Sequence, residues 1–436
     1  MISGAIILRL LHTSDWHLGV SMNDASCEAE QRRFLDWLID TLDEREIDVL
    51  VVAGDIFHFR QPSNSAQRIY YDFLRRAAEL PNLQKVIVVA GNHDSPSGLE
   101  SPRSILETLD VDVVGTVSRS EDVAERCLIP LQGPSGQVEL VVCAVPYVRP
   151  AQLGVSGLVG SPEQVRLAFE QAFGELYTEL ADVAYDRYGE VRLVATGHLT
   201  CAGDESPDED DLRGRSPIHS VGTIDALSSS IFDERFDYVA LGHIHRAFPV
   251  EKPRVWYSGT PVPTSKNETS KRYVIDVDLS ASTPDCEFVE VPRWRDIHCV
   301  EGSQEQVLEE FSTLTTECDL APYVFVHVRD EDFNYDEPIA TVLRTLAAEL
   351  DEPRPRIVDY RETDLRSATA TGGPPAQLDE LTPEEVFLRL YESENENRSP
   401  TEELLRAFRE LLTDDEVDER PAQTSGEPSD SVKEPA

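Results

Sequence analysis

The chain has 436 residues, 40% of them hydrophobic, with 82 Asp and Glu against 39 Lys and Arg and a formal net charge of −43. That length exceeds what one core usually holds, so one large domain with smaller modules is expected. An acidic surface of this strength keeps a protein soluble and, taken alone, argues against a nucleic-acid partner, because phosphate contacts normally come from Lys and Arg. Only five lysines are present, and molar salt would screen the self-repulsion, which predicts a salt-adapted cytoplasm. Seven scattered cysteines, odd in number and without paired spacing, predict a reduced compartment, with Cys143 in the core.

In chain order, the first apolar run, Ala5–Leu11, is too short for a membrane span and lacks a basic segment or small-residue cleavage site. It reads as the first strand of a cytoplasmic protein. Further runs follow at Ile47–Ala53, Lys85–Ala90, Leu140–Val145, Val191–Ala195 and Tyr238–Leu241. Their hydrophobicity is continuous, as in strands buried on both faces. Helical patterns lie between the first three, at about 29–44, with Phe34, Leu35, Leu38 and Leu42 on one side, and at about 66–79. The alternation is βαβ, an α/β sheet covered by helices. From about Ser265 the character changes. Strands at Tyr273–Val277, Glu287–Val291 and Tyr323–Val328, with a helix at Glu305–Leu314, predict a small α+β domain over 265–366 after a main domain of 1–264. A Gly-Pro linker over 367–381 precedes two short amphipathic helices within 382–412, and an acidic tail over 413–436 reads as disordered.

Five motifs end apolar runs: Asp15-Trp16-His17, Gly54-Asp55, Gly91-Asn92-His93-Asp94, Gly197-His198 and Gly242-His243-Ile244-His245. A lone Gly-His or Gly-Asp is ordinary turn chemistry. Six of the ten histidines, however, lie in or beside these motifs, all at strand ends, where open α/β sheets place ligands. Carboxylate oxygens and imidazole nitrogens suit Mn²⁺, Fe, Zn²⁺ or Mg²⁺. The predicted arrangement puts one ion on Asp15, His17, Asp55 and His245, and a second on Asp55, Asn92, His198 and His243. An extended backbone would point Asp15 and His17 the same way. Two such ions activate water and clamp a phosphate for in-line attack. They also add positive charge where a substrate phosphate must sit, which offsets the argument from net charge. His93 is the candidate for stabilising the transition state or protonating the leaving oxygen, with Asp94 orienting it from behind.

The order of these motifs resembles the calcineurin-like metallophosphoesterases. Gly54-Asp55-Ile56-Phe57-His58 running on to Pro62-Ser63 is similar to the SbcD-type DNA repair nucleases, relatives of the nuclease of the MRN complex. The resemblance implies a sheet sandwich flanked by helices, a small α+β capping domain that helps to position DNA, and a role for His58 in exonuclease action. It further implies Mn²⁺ as the metal, 3′-to-5′ exonuclease and endonuclease activity on duplex ends and hairpins, and a homodimer. The helix pair would bind the coiled coil of an SbcC-type ATPase. Each of its helices carries a predicted capping box, Thr382-Pro383-Glu384-Glu385 and Ser399-Pro400-Thr401-Glu402. The acidic stretch 204–215 departs from the resemblance and leaves DNA contacts there in doubt. A phosphodiesterase acting on cyclic nucleotides or nucleotide pyrophosphates remains the rival from a different class.

Overall fold

Apolar runs without alternation become the inner strands of two stacked sheets. The computed structural model describes residues 9–117, 123–133, 135–155, 162–206, 226–330 and 338–364, with 387, 391, 400, 401, 404 and 405 beyond them. Chain order begins with β1 (Arg9–Thr13), α1 (Glu28–Glu44), β2 (Val49–Ala53), α2 (Asn64–Ala77), β3 (Lys85–Val89) and β4 (Val111–Val114). It continues through β5 (Leu128–Gln132), β6 (Val138–Cys143), α3 (Pro162–Tyr188), β7 (Arg192–His198), β8 (Tyr238–Gly242), β9 (Phe248–Glu251), β10 (Val255–Tyr257), β11 (Arg272–Asp278) and β12 (Asp285–Val291). Residues 5–8 of the first apolar run lie outside the described residues.

The first sheet has the order β12-β11-β1-β2-β3-β4 and the second β9-β10-β8-β7-β6-β5. Successive side chains on a strand point to opposite faces. Leu10, Val49, Val51, Ile87 and Val89 therefore share one core with Val141, Val194 and Val239 of the second sheet. Their neighbours Leu11, Leu50, Val52, Val86 and Val88 pack instead with Phe34 and Leu38 of α1 and Tyr70 and Phe73 of α2. Ser63 caps α2 by accepting from the Ala66 amide, so the helix starts two residues earlier than its apolar pattern suggests. The 27-residue α3 covers the other sheet through Phe173, Leu176, Tyr177 and Leu180.

The expected boundary near residue 265 is moved by strand pairing. β11 runs antiparallel to β1, with Val277 opposite Leu10 and Ile275 opposite His12, and β12 pairs with β11. Both strands therefore extend the first sheet. Without β11, the buried strand β1 would be an edge with an unpaired row of amides. The small domain follows them: β13 (Ile297–Gly302), α4 (Gln304–Ser312), β14 (Tyr323–Asp330), α5 (Ile339–Glu349) and β15 (Arg356–Asp364). Its three strands are parallel, in the order β13-β14-β15, and its core holds Val307, Phe311, Val326, Ile339 and Leu343. It is fastened beside the first metal motif. Arg295 pairs with Glu30 of α1 and lies 3.9 Å over the Tyr323 ring, and the Tyr323 hydroxyl donates to the Ser26 carbonyl at 2.8 Å.

The chain divides into two bodies, Met1–Thr371 and Gly372–Ala436. In the second body Phe387, Tyr391, Leu404 and Leu405 are helical. The Leu404 amide donates to the Thr401 hydroxyl at 3.3 Å, so this cap falls on Thr401, whereas the sequence pattern puts it on Ser399. The linker, the acidic tail, most of 382–412 and 207–215 of the acidic stretch lie outside the described residues. Among the described residues no helix is long and apolar enough to cross a membrane.

Candidate metal centre

Asp15, Asp55 and Asn92 follow the carboxyl ends of β1, β2 and β3, while His198 ends β7 and His243 follows β8. These strands are neighbours within their sheets, so the two sheets meet at one rim. Four of the seven ligand candidates occupy left-handed backbone: Asp15 (φ 52°), His17 (φ 44°), Asp55 (φ 51°) and His243 (φ 96°). Such conformations cost about 1–3 kcal/mol each and persist only where surrounding structure imposes them. Asp15 and His17 are thus brought to one side by two strained residues, not by the extended backbone expected. Their amides donate to the Gly54 and Asp55 carbonyls at 2.9 and 3.0 Å. Trp16 between them is 1% exposed, donates from its indole N–H to Thr13 Oγ1 at 3.0 Å, and meets Phe34 and Phe73 edge-on. Core packing of one side chain therefore presents its two neighbours to the rim.

The glycine of Gly242-His243 has a steric reason. A Cβ there would stand 1.9 Å from the Ala53 carbonyl oxygen, where the ends of the two sheets touch. That same carbonyl accepts from His198 Nδ1–H at 2.9 Å, which turns Nε2 toward the rim.

The donor atoms converge in two groups. His17 Nε2 and His245 Nε2 stand 3.1 Å apart, and Asp15 joins them. Asn92 Oδ1 lies 3.0 Å from His198 Nε2 and 3.0 Å from His243 Nδ1. Asp55 Oδ2 lies 3.3 Å from His198 Nε2 and 3.6 Å from His17 Nε2, so one oxygen faces both groups. Ligands bound at about 2.1 Å around one ion stand about 3 Å apart, so these separations fit two cations sharing Asp55. Burial opposes ionisation of Asp55, yet His198 beside it, its own pKa pushed up to about 9 by that carboxylate, holds the carboxyl well below the ordinary range, so an ionised carboxylate faces both donor groups. Burial also lowers His17 well below the usual imidazole range, which leaves it neutral and able to donate a lone pair.

A profile of the calcineurin-like phosphoesterase family matches residues 8–247, and one of the type 5 capsule protein repressor C-terminal domain matches residues 293–395. The chain is 31% identical to the SbcD subunit of nuclease SbcCD from Rhodobacter capsulatus over 394 residues, 88% of this chain and 94% of the relative. It is 30% identical to the Escherichia coli K12 protein of that name over 93% of this chain and 98% of the relative. The Bacillus subtilis protein of the same name is 24% identical, again over 93% and 98%. The chain belongs to the calcineurin-like phosphoesterases, in the SbcD branch. The second match begins just after β12, in keeping with the boundary set by strand pairing.

The remaining candidates take distinct places in this phosphoesterase. The His93 amide donates to Asp55 Oδ1 at 2.8 Å, and its Nδ1–H donates to the His58 carbonyl at 3.0 Å. His58 stacks on the His93 ring, centroids 5.5 Å apart, and burial together with the charge of His93 pushes its pKa down to about 4. The expectation that Asp94 orients His93 is corrected: its carboxylate accepts the Gly91, Ile56 and Phe57 amides at 2.8, 3.1 and 2.9 Å, tying together the loops that carry Asp55 and Asn92. One contact that orients the His93 ring is its hydrogen bond to the His58 carbonyl. Sequence reasoning missed Glu268, whose Oε1 accepts from His245 Nδ1–H at 2.7 Å. Burial would raise its pKa, but His245 and Arg272 hold it at about 2. Glu268 lies in the polar run Ser265–Ser270, 23 residues beyond His245, where nothing in the pattern marks it.

Proposed function

We propose that this chain is the nuclease component of an SbcCD-type complex, hydrolysing phosphodiester bonds of DNA with two divalent ions, which we take to be Mn²⁺. The observation that carries the reading is Asp55 Oδ2 facing both donor groups, in a chain whose relatives named as the SbcD subunit of nuclease SbcCD match about nine-tenths of its length. Asp15, His17, Asp55 and His245 would hold one ion, and Asp55, Asn92, His198 and His243 the other. When bound, the ions supply Lewis acidity toward water and phosphate.

The chain's own residues do the rest. His93 keeps its Nδ1–H on the His58 carbonyl and is the residue that would stabilise the phosphate or give a proton to the leaving oxygen. His58, stacked behind it, holds that ring in place. Asp94 keeps the loops of Asp55 and Asn92 in register, and Glu268 fixes the tautomer of His245. Further parts of the reading are 3′-to-5′ exonuclease and endonuclease action on ends and hairpins, a homodimer, an SbcC-type ATPase on 382–412, and positioning of DNA by the small domain. The free cysteines and the acidic charge support a reducing, salt-rich cytoplasm as the setting.

The test is hydrolysis of an end-labelled linear duplex in molar salt with Mn²⁺, beside the Asp55→Asn variant and a cyclic nucleotide substrate. DNA fragments that vanish in the variant are the expected outcome. Cleavage of the cyclic nucleotide alone would overturn the nuclease reading in favour of a small-molecule phosphodiesterase.

A further inference from the structure

Phe59 is 59% exposed, although it directly follows His58 at the rim of the metal centre. Single exposed apolar side chains are ordinary on protein surfaces, so exposure alone decides nothing. Its place does. The rings of His17 and His93 stand perpendicular at 5.0 Å, His93 and His58 stack at 5.5 Å, and His58 meets Phe59 edge-on at 4.6 Å. An unbroken file of rings therefore leads from a ligand candidate to solvent, and Phe59 ends it.

The backbone that carries the ring is also anchored on both sides before any ligand arrives. The His58 amide donates to the Leu18 carbonyl at 3.2 Å, the Phe57 amide to Asp94, and Ser63 starts α2 four residues on. The segment between is short and anchored at both ends, so little ordering is left for binding.

We propose that Phe59 is a stacking platform for the nucleobase beside the scissile phosphate, a subsite that takes an unpaired base at a DNA end. The proposal rests on the nuclease reading and deepens it. Every base has a π-face, so such a platform tolerates any sequence, as end processing requires. It also suits a chain with a net charge of −43, because salt weakens phosphate contacts whereas stacking is not an interaction between charges.

The experiment uses the full chain with Mn²⁺ and a short single-stranded oligonucleotide, comparing wild type, Phe59→Ala and Phe59→Trp. Phe59→Ala should raise KM about tenfold with both ions retained, whereas Phe59→Trp should keep the wild-type KM. A second oligonucleotide, abasic in its two terminal nucleotides, should cost wild type about the same factor, and on it the difference between wild type and Phe59→Ala should disappear. An unchanged KM in Phe59→Ala, or an equal loss on the normal and abasic substrates, overturns the proposal and leaves the nuclease reading standing. If wild type with both ions bound cleaves no DNA, the nuclease reading fails and the platform falls with it.

Discussion

If the proposed two-ion assignment holds, removing the Glu268 carboxylate should loosen the ion assigned to His245 and spare the other. Glu268 Oε1 is 2.7 Å from His245 Nδ1, and the acid also faces Arg272, whose side chain is 8% exposed. In Glu268→Gln the amide oxygen still accepts from His245 while the charge is lost, and losses of this kind cost about 10–100-fold in metal affinity. That corresponds to about 1.4–2.7 kcal/mol on the ion held by His245. Glu268→Ala removes that acceptor as well, leaving the Thr264 hydroxyl 3.3 Å from His245 Nδ1, and among the described residues it leaves the Arg272 guanidinium donating to the backbone carbonyls of residues 245 and 268 at 2.9 and 2.7 Å. An uncompensated buried charge costs about 3–5 kcal/mol, so this variant should also unfold earlier. Calorimetric titration of metal-free protein with Mn²⁺ should show two equivalents in wild type and one weakened equivalent in Glu268→Gln, with thermal unfolding run alongside. Equal weakening of both ions, or unchanged binding in Glu268→Ala, would refute the chain from Glu268 through His245 to one ion.

Other outcomes follow from the same contacts. Gly242→Ala drives a Cβ to 1.9 Å from the Ala53 carbonyl, so it should cost about 1–3 kcal/mol and, by displacing the acceptor of His198, lower occupancy of the second ion as read by metal analysis. Asp94→Ala strips an acceptor from three buried amides and should cost about 3–5 kcal/mol in urea unfolding; a loss under about 1 kcal/mol would show that the loops hold without it. Cys27, Cys127, Cys143 and Cys201 are buried, and burial pushes the Cys27 and Cys127 thiols up to about 12. A disulfide reagent should therefore label at most Cys286, Cys299 and Cys318 in the native protein and all seven thiols in denaturant.

Among the described residues, the small domain is joined to the main body at few points. The Arg295–Glu30 pair and the Tyr323 hydroxyl fasten it to α1 and to Ser26, close in sequence to the Asp15-Trp16-His17 loop. The side chains of that pair are about nine-tenths buried, so breaking it should free the domain more than removing it whole would destabilise it.

The amino-acid sequence by itself determined the α/β class and the buried strands, and it marked the candidate ligands, because the five motifs that carry them end apolar runs and continuous hydrophobicity marks a strand covered on both faces. The helix α1 was legible for the same reason, with Phe34, Leu35, Leu38 and Leu42 at helical spacing and buried. The long helix α3 was not read, since Ala172, Ala181, Ala184 and Tyr177 dilute the contrast of its buried face. Only the tertiary structure decided that β11 and β12 complete the first sheet, because pairing with β1 is a contact across more than 260 residues that no local pattern encodes. It also decided how Asp15 and His17 turn, through strain imposed by the neighbouring loop, and it gave Asp94 to the backbone and Glu268 to His245. Those roles depend on which groups meet at the junction of two sheets, and a meeting of distant segments leaves no trace in the order of residues.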